Sequence, residues 1–325
     1  MRHAIVVAVL LGGTFVAAQQ PPPAMPADQQ PGRKWSAEQL KQFSGAVRAG
    51  RKLTPKAWPT NARVAVALTF TVNNTAGNLA RGDSAVVQLT GGEFGAVVGL
   101  PRVLDVLDRH GVPATFFIPA AAAIVDPEMI PDIVKRGRHE IGAMGWSDEN
   151  PLAINNAAEE ERLLTKAVEY LTQAAGIRPV GARGPASVAS LHTLGILKRN
   201  GFLYDSTLAA MDEPYELLLD GQASGLVELP ISRILDDQPS LSAPRFGPST
   251  LPSPELVFET FRDDFDAAYR EGTMFLLTLH PHLVGMRSRI GYLDDLIAYI
   301  RSKPNVWFAT GSQIARYLKQ QNPAD

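Results

Sequence analysis

Apolar residues recur along this chain in two rhythms that take turns. Short apolar runs at Val64–Phe70, Ala114–Ile118, Glu140–Ala143, Val180–Arg183, Phe202–Asp205, Leu226–Leu229, Met274–Leu279 and Val306–Ala309 read as strands. Between them, apolar positions fall at helical spacing. Pro101–His110 is followed by Gly111, and Pro127–Arg136 by Gly137. Ala157–Ala175 sets Leu164, Ala167, Leu171 and Ala174 on one face and meets Gly176, a residue suited to the left-handed turn that ends helices. Leu191–Arg199, Tyr292–Arg301 and Ser312–Lys319 follow the same rule. Ser253-Pro254 opens another helix, on which Phe258, Phe261 and Phe265 share a face.

Strands alternating with helices imply a parallel sheet. About eight such strands in one domain favour closure into an irregular (β/α) barrel, a single α/β domain. The doubly wound open sheet is the rival, and the first strand–helix turn lacks the GxGxxG loop that would support it. In a barrel, chemistry sits at the C-terminal ends of the strands. That rule collects Thr71, Asn73, Met144, Arg183, Asp205 and His280 at one mouth.

The N-terminus has a different character. Arg2 and His3 precede an apolar stretch, Ala4–Val16, and the small residues Ala17-Ala18. The stretch is shorter than the roughly 20 residues a membrane span needs. It reads as a signal peptide over residues 1–18, with a periplasmic or secreted mature chain. Residues 19–34 are a Pro/Gln-rich spacer, and 35–60 a helical extension with one helix over Trp35–Arg51. The barrel occupies 61–320, and 321–325 are a tail. No cysteine occurs, which excludes disulfides, thiolate metal sites and a cysteine nucleophile. The formal charge of −2 favours neither nucleic acid nor a membrane surface as partner.

Several local motifs bear on chemistry. They include Val66-Ala67-Leu68-Thr69-Phe70, Ala114-Thr115-Phe116-Phe117, His139-Glu140-Ile141-Gly142 and Gly181-Ala182-Arg183 with Pro185. Tyr204-Asp205-Ser206, Glu228-Leu229-Pro230, Asp236-Asp237, Leu279-His280-Pro281-His282 and Trp307-Phe308-Ala309-Thr310 follow in order. With them the sequence resembles the polysaccharide deacetylase family, which shares the NodB homology domain, and within it the branch of peptidoglycan-deacetylase-like and allantoinase-like members. The resemblance implies that family's irregular barrel. It also implies a divalent metal, often zinc, held by one Asp and two His, a second Asp as general base and a late His as general acid. Here the first-strand motif is Thr71-Val72-Asn73 instead of Asp-Val-Asp, and the paired histidines are replaced by Met144 and Asp148. Only His280 stands. Thr71 is not a base, Asn73 offers a neutral carbonyl, and Met144 is a thioether that zinc rarely takes.

Three functional readings follow. In the first, the barrel binds a glycan or peptidoglycan-derived ligand without metal-dependent deacetylation and without a cofactor. Thr71, Asn73, Glu93, Phe94 and Asp205 then contact the ligand, and Arg183, deprived of a carboxylate at position 71, holds an anionic group or pairs with Asp205. In the second, zinc or another divalent metal is bound by a rearranged set, Asp148, His280 and His282, in a hydrolase acting on C–N bonds. In the third, His280 and Arg183 serve such a hydrolase without metal. Asp236-Asp237 reads as a solvated turn before Gln238-Pro239.

Overall fold

The structure is a computed structural model that describes residues 31–45, 47–83, 85–242 and 251–323. The predicted signal peptide and most of the spacer lie outside these residues. Ten strands form one sheet: β1 (Val47–Lys52), β2 (Val64–Thr71), β3 (Thr115–Ile118), β4 (Glu140–Ala143), β5 (Gly181–Ala182), β6 (Tyr204–Asp205), β7 (Tyr215–Leu219), β8 (Gln222–Glu228), β9 (Met274–Leu279) and β10 (Val306–Phe308). From β9 the parallel order runs β9, β2, β3, β4, β5, β6, β8. Along β2, β10 pairs with Val64–Val66 and β3 with Thr69–Thr71, one after the other. After β8 the chain returns to β9 through a single parallel bridge between Asp236 and Thr278, so the sheet curls into a barrel with an irregular seam.

The alternation within β2 shows why it lies at the centre. All eight of its residues are buried. Val64, Val66, Leu68 and Phe70 belong to the larger apolar core, which includes helix residues such as Phe261 and Phe265. Ala65 and Ala67 belong to a second, smaller core with Phe117, Met144 and Tyr204. Small side chains are needed where strands from several directions converge. At Gly181 a Cβ would stand 2.0 Å from the Tyr204 ring, and at Gly142 2.5 Å from Phe117.

The helices run as the periodicity predicts. Ala157–Ala175 is observed with those bounds and stops at Gly176, whose φ of 71° is the left-handed turn. Pro254–Glu271 buries Phe258, Phe261 and Phe265. Among the described residues no helix is long and apolar enough to cross a membrane.

One sequence expectation is corrected. Trp35–Arg51 is not one helix: a helix spans Ala37–Gly45, and the chain then extends into β1. β1 pairs antiparallel with β7, which pairs antiparallel with β8. Beyond β1, Leu53 and Trp58 enter the smaller core. The extension is therefore part of the domain's packing. The β7–β8 hairpin turns on Asp220-Gly221, both with positive φ. An Asp-Gly pair between apolar runs is a strong hairpin signal, and it identifies the strand that the coarse alternation missed.

Candidate functional site

At the C-terminal ends of β2, β4 and β9 the barrel opens into a pocket of about 560 Å³. Thr71, Asn73, Met144, Asp148, His280 and His282 line it, with Phe94 at its wall. Phe94 comes from the helix Val86–Phe94, which runs on through a π-helical turn at Gly95–Gly99 into the helix Leu100–His110. That turn packs against the segment after β9, where a Cβ on Gly99 would stand 2.2 Å from the Pro281 carbonyl oxygen. The structure thus brings Thr71, Asn73, Phe94, Asp148, His280 and His282 around one cavity.

Glu93 and Asp205 are elsewhere. Glu93 points to an adjoining apolar groove of about 480 Å³ with Leu79, Val86 and Val97. Asp205 is fully buried away from the pocket. Its carboxyl accepts from the Thr207 hydroxyl at 2.9 Å and the Thr207 amide at 3.1 Å, and it adjoins the equally buried Glu228. Burial raises the pKa of both carboxyls, and for Glu228 the neighbouring Asp205 raises it further.

Arg183 also departs from expectation. Its guanidinium is 2% exposed and lies behind Thr71, not in the pocket. It donates to the Thr71 hydroxyl at 3.2 Å, the Thr69 hydroxyl at 3.1 Å, and the Ser206 carbonyl and hydroxyl at 3.0 Å each. It lies over the Phe117 ring, 4.3 Å from the centroid. No carboxylate accepts a hydrogen bond from it among the described residues, and no face is left for a bidentate anion. Desolvation pushes its pKa down to about 10, opposed at longer range by Asp236, Asp205 and Glu228. The anion-holding and Asp205-pairing roles are both replaced by a cage of neutral acceptors.

Asn73 and Asp148 form a second bonded pair, in which the Asn73 carbonyl oxygen stays buried without a partner. Asp148 sits at φ 63° after β4. Its Oδ1 accepts from the Ala186 amide at 2.7 Å and its Oδ2 from the Asn73 side-chain amide at 3.2 Å. Burial raises its pKa, and these bonds oppose the rise.

The Asp236-Asp237 pair is not a solvated turn. Asp237 is fully buried. One of its oxygens lies 2.7 Å from His280 Nδ1, and the other accepts from the His280 amide at 3.1 Å. Asp236 Oδ1 caps the following short helix by accepting from Gln238 N at 2.9 Å. The carboxylate that holds His280 lies 43 residues away in sequence, so the only sequence signal was the Asp-Asp pair itself. His282 stands beside His280, ring centroids 5.6 Å apart and edge-on. Burial lowers its pKa to about 4, and its Nδ1 is sealed without a partner.

The residues do not fit the divalent metal that the family resemblance implies. Asn73, Met144 and Asp148 supply one carboxylate with both oxygens already engaged, a neutral amide and a buried thioether, with no imidazole. The rearranged set of Asp148, His280 and His282 does not converge either. The carboxylate and imidazole atoms within 4.8 Å of one another are those of Asp236, Asp237 and His280. There the His280 Nδ1–Asp237 contact is a hydrogen bond that orients the ring.

Comparison with known proteins agrees with this architecture. The polysaccharide deacetylase family profile matches residues 93–204. A peptidoglycan deacetylase of Helicobacter pylori is 30% identical over 268 residues, which span 74% of this chain and 91% of that protein. A Mycobacterium smegmatis protein named for the polysaccharide deacetylases superposes with a TM-score of 0.77 at 36% identity, over 85% of this chain and 97% of its own. An allantoinase, Puue, superposes with a TM-score of 0.72 at 25% identity, over 85% and 96%. Barrel, ordered motifs and near full-length likeness lead to one conclusion: this chain belongs to the polysaccharide deacetylase family.

Proposed function

We propose that this protein is exported and binds a glycan of the peptidoglycan type in the barrel-mouth pocket, without metal-dependent deacetylation. The observation that carries this reading is the Thr71–Asn73–Met144–Asp148 set. Asp148 accepts from Ala186 and Asn73, Thr71 accepts from Arg183, and the set offers no imidazole or thiolate of the kind that holds zinc. The pocket volume of about 560 Å³ suits a small ligand. Its Asn, Gln, Ser and Thr lining suits hydroxyl and amide groups. Export rests on Arg2-His3 and the apolar stretch to Val16. N-terminal sequencing of the exported chain should begin at Gln19.

Titration calorimetry with N-acetylglucosamine oligomers tests the binding, together with acetate release with and without chelator. The reading expects binding and no chelator-sensitive acetate. Chelator-sensitive turnover would overturn it. A second reading, metal-free hydrolysis of a C–N bond, is favoured by the buried Asp237–His280 pair at the pocket.

A further inference from the structure

The inner faces of β2 and β9 carry an arrangement that ligand binding does not require. Thr69 and Thr278 are register partners on these parallel strands, and their hydroxyls lie 3.3 Å apart. Side chains on one face of a strand recur every second residue. The last register pair is Phe70 with Leu279, so Thr71, which ends β2, and His280, the first residue beyond β9, come next on the two chains, and both line the pocket.

Each is prepared differently. His280 Nδ1 is held by Asp237, which points the Nε2 edge away from that carboxylate. Nε2 has no partner among the described residues, yet it is not sealed as His282 Nδ1 is. Thr71 Oγ1 accepts from Arg183 Nη1, so its own proton is not consumed by that bond. A guanidinium at the oxygen favours the alkoxide. A hydroxyl, a neighbouring imidazole and a buried carboxylate orienting that imidazole are the parts of an activated nucleophile.

The geometry points to Thr71 as the nucleophile of a metal-free acyl transfer from an ester or N-acyl group bound in this pocket. His280 moves the proton, and Asp237 and Arg183 act as positioning residues. Thr71 Oγ1 bonds to the acyl carbon while its proton passes to His280 Nε2. The C–N or C–O bond then breaks as His280 returns that proton to the departing amine or alcohol. Water, deprotonated by the same imidazole, adds to the threonyl ester. A carboxylic acid leaves, and the proton returns to Thr71. The inference rests on the proposed function only in taking this pocket as the ligand site.

The test is intact-mass spectrometry and peptide mapping of the full chain after exposure to p-nitrophenyl acetate, with stopped-flow detection of nitrophenolate. The expected result is about one acetyl group per chain, located on Thr71, and a matching burst that chelator leaves unchanged. Thr71→Val and His280→Gln should slow the burst at least about 100-fold, and Thr71→Ser should retain it. Circular dichroism identifies any variant that fails to fold, and Thr71→Ser then carries the comparison, with its acetyl group expected on the new serine. Acetylation confined to lysines, or a burst unchanged in Thr71→Val, overturns the inference. If glycan oligomers still bind, only the nucleophile is lost. A Thr71 adduct without glycan binding would instead remove the glycan reading.

Discussion

Arg183 makes the most quantitative prediction. It is a fully buried guanidinium whose hydrogen bonds all end on hydroxyls and a carbonyl. A base whose folded pKa lies below its unfolded value is disfavoured in its charged form. That penalty is present in full at every pH below about 10 and is relieved only as pH rises past it. At ~1.4 kcal/mol per pKa unit, the fall to about 10 corresponds to roughly 3 kcal/mol. Thr71→Val keeps the side-chain shape but removes the acceptor 3.2 Å from Nη1. The Nη1 donor loses its acceptor in a site only 2% exposed, so the cost should be about 1–3 kcal/mol. Thr71→Asp supplies a carboxylate at the same point. It should recover part of the penalty and raise stability by about 1–3 kcal/mol, less the cost of burying the new charge. Urea unfolding at neutral pH, compared at constant m, should rank the chains Asp above Thr above Val. A Thr71→Val chain as stable as the parent, or a Thr71→Asp chain below Thr71→Val, would refute the claim that this guanidinium depends on the Thr71 acceptor and lacks a carboxylate partner.

Other consequences are as direct. After exposure to zinc and dialysis, elemental analysis should find metal at background, and about one tightly held ion per chain would contradict the donor chemistry at Asn73, Met144 and Asp148. His282, with a pKa near 4 against 6.5 for a free imidazole, takes up a proton in the unfolded chain before the folded one. Its contribution to stability is therefore lost as pH falls from 6.5 towards 4. His282→Phe should gain on the parent by about 1–3 kcal/mol between pH 7 and pH 4, discounted for the ring's partial exposure, and parallel pH profiles would show that the ring is protonated when folded. Gly181→Ala places a methyl 2.0 Å from the buried Tyr204 ring and should cost about 3 kcal/mol or more, read as loss of cooperative thermal unfolding.

The deacetylase-type barrel and the mouth residues are legible because they depend on local patterns. Ala157–Ala175 follows from spacing and Gly176, and Met274–Leu279 from an unbroken apolar run; both are observed with those bounds. Once strands and helices alternate, Thr71, Asn73 and His280 must gather where strands end. The Trp35–Arg51 segment was harder, because β1 is a strand only through its pairing with β7, about 170 residues away in sequence. Partners and burial were not legible at all. Asp237 holds His280 across 43 residues, and Thr71 receives Arg183 across 112. The sequence alone determined which residues sit at the strand ends. Whether each faces the pocket, lies behind it like Arg183, or is sealed away like Asp205 was decided by tertiary packing, because burial and hydrogen-bond partners belong to the assembled barrel and to no single segment of the chain.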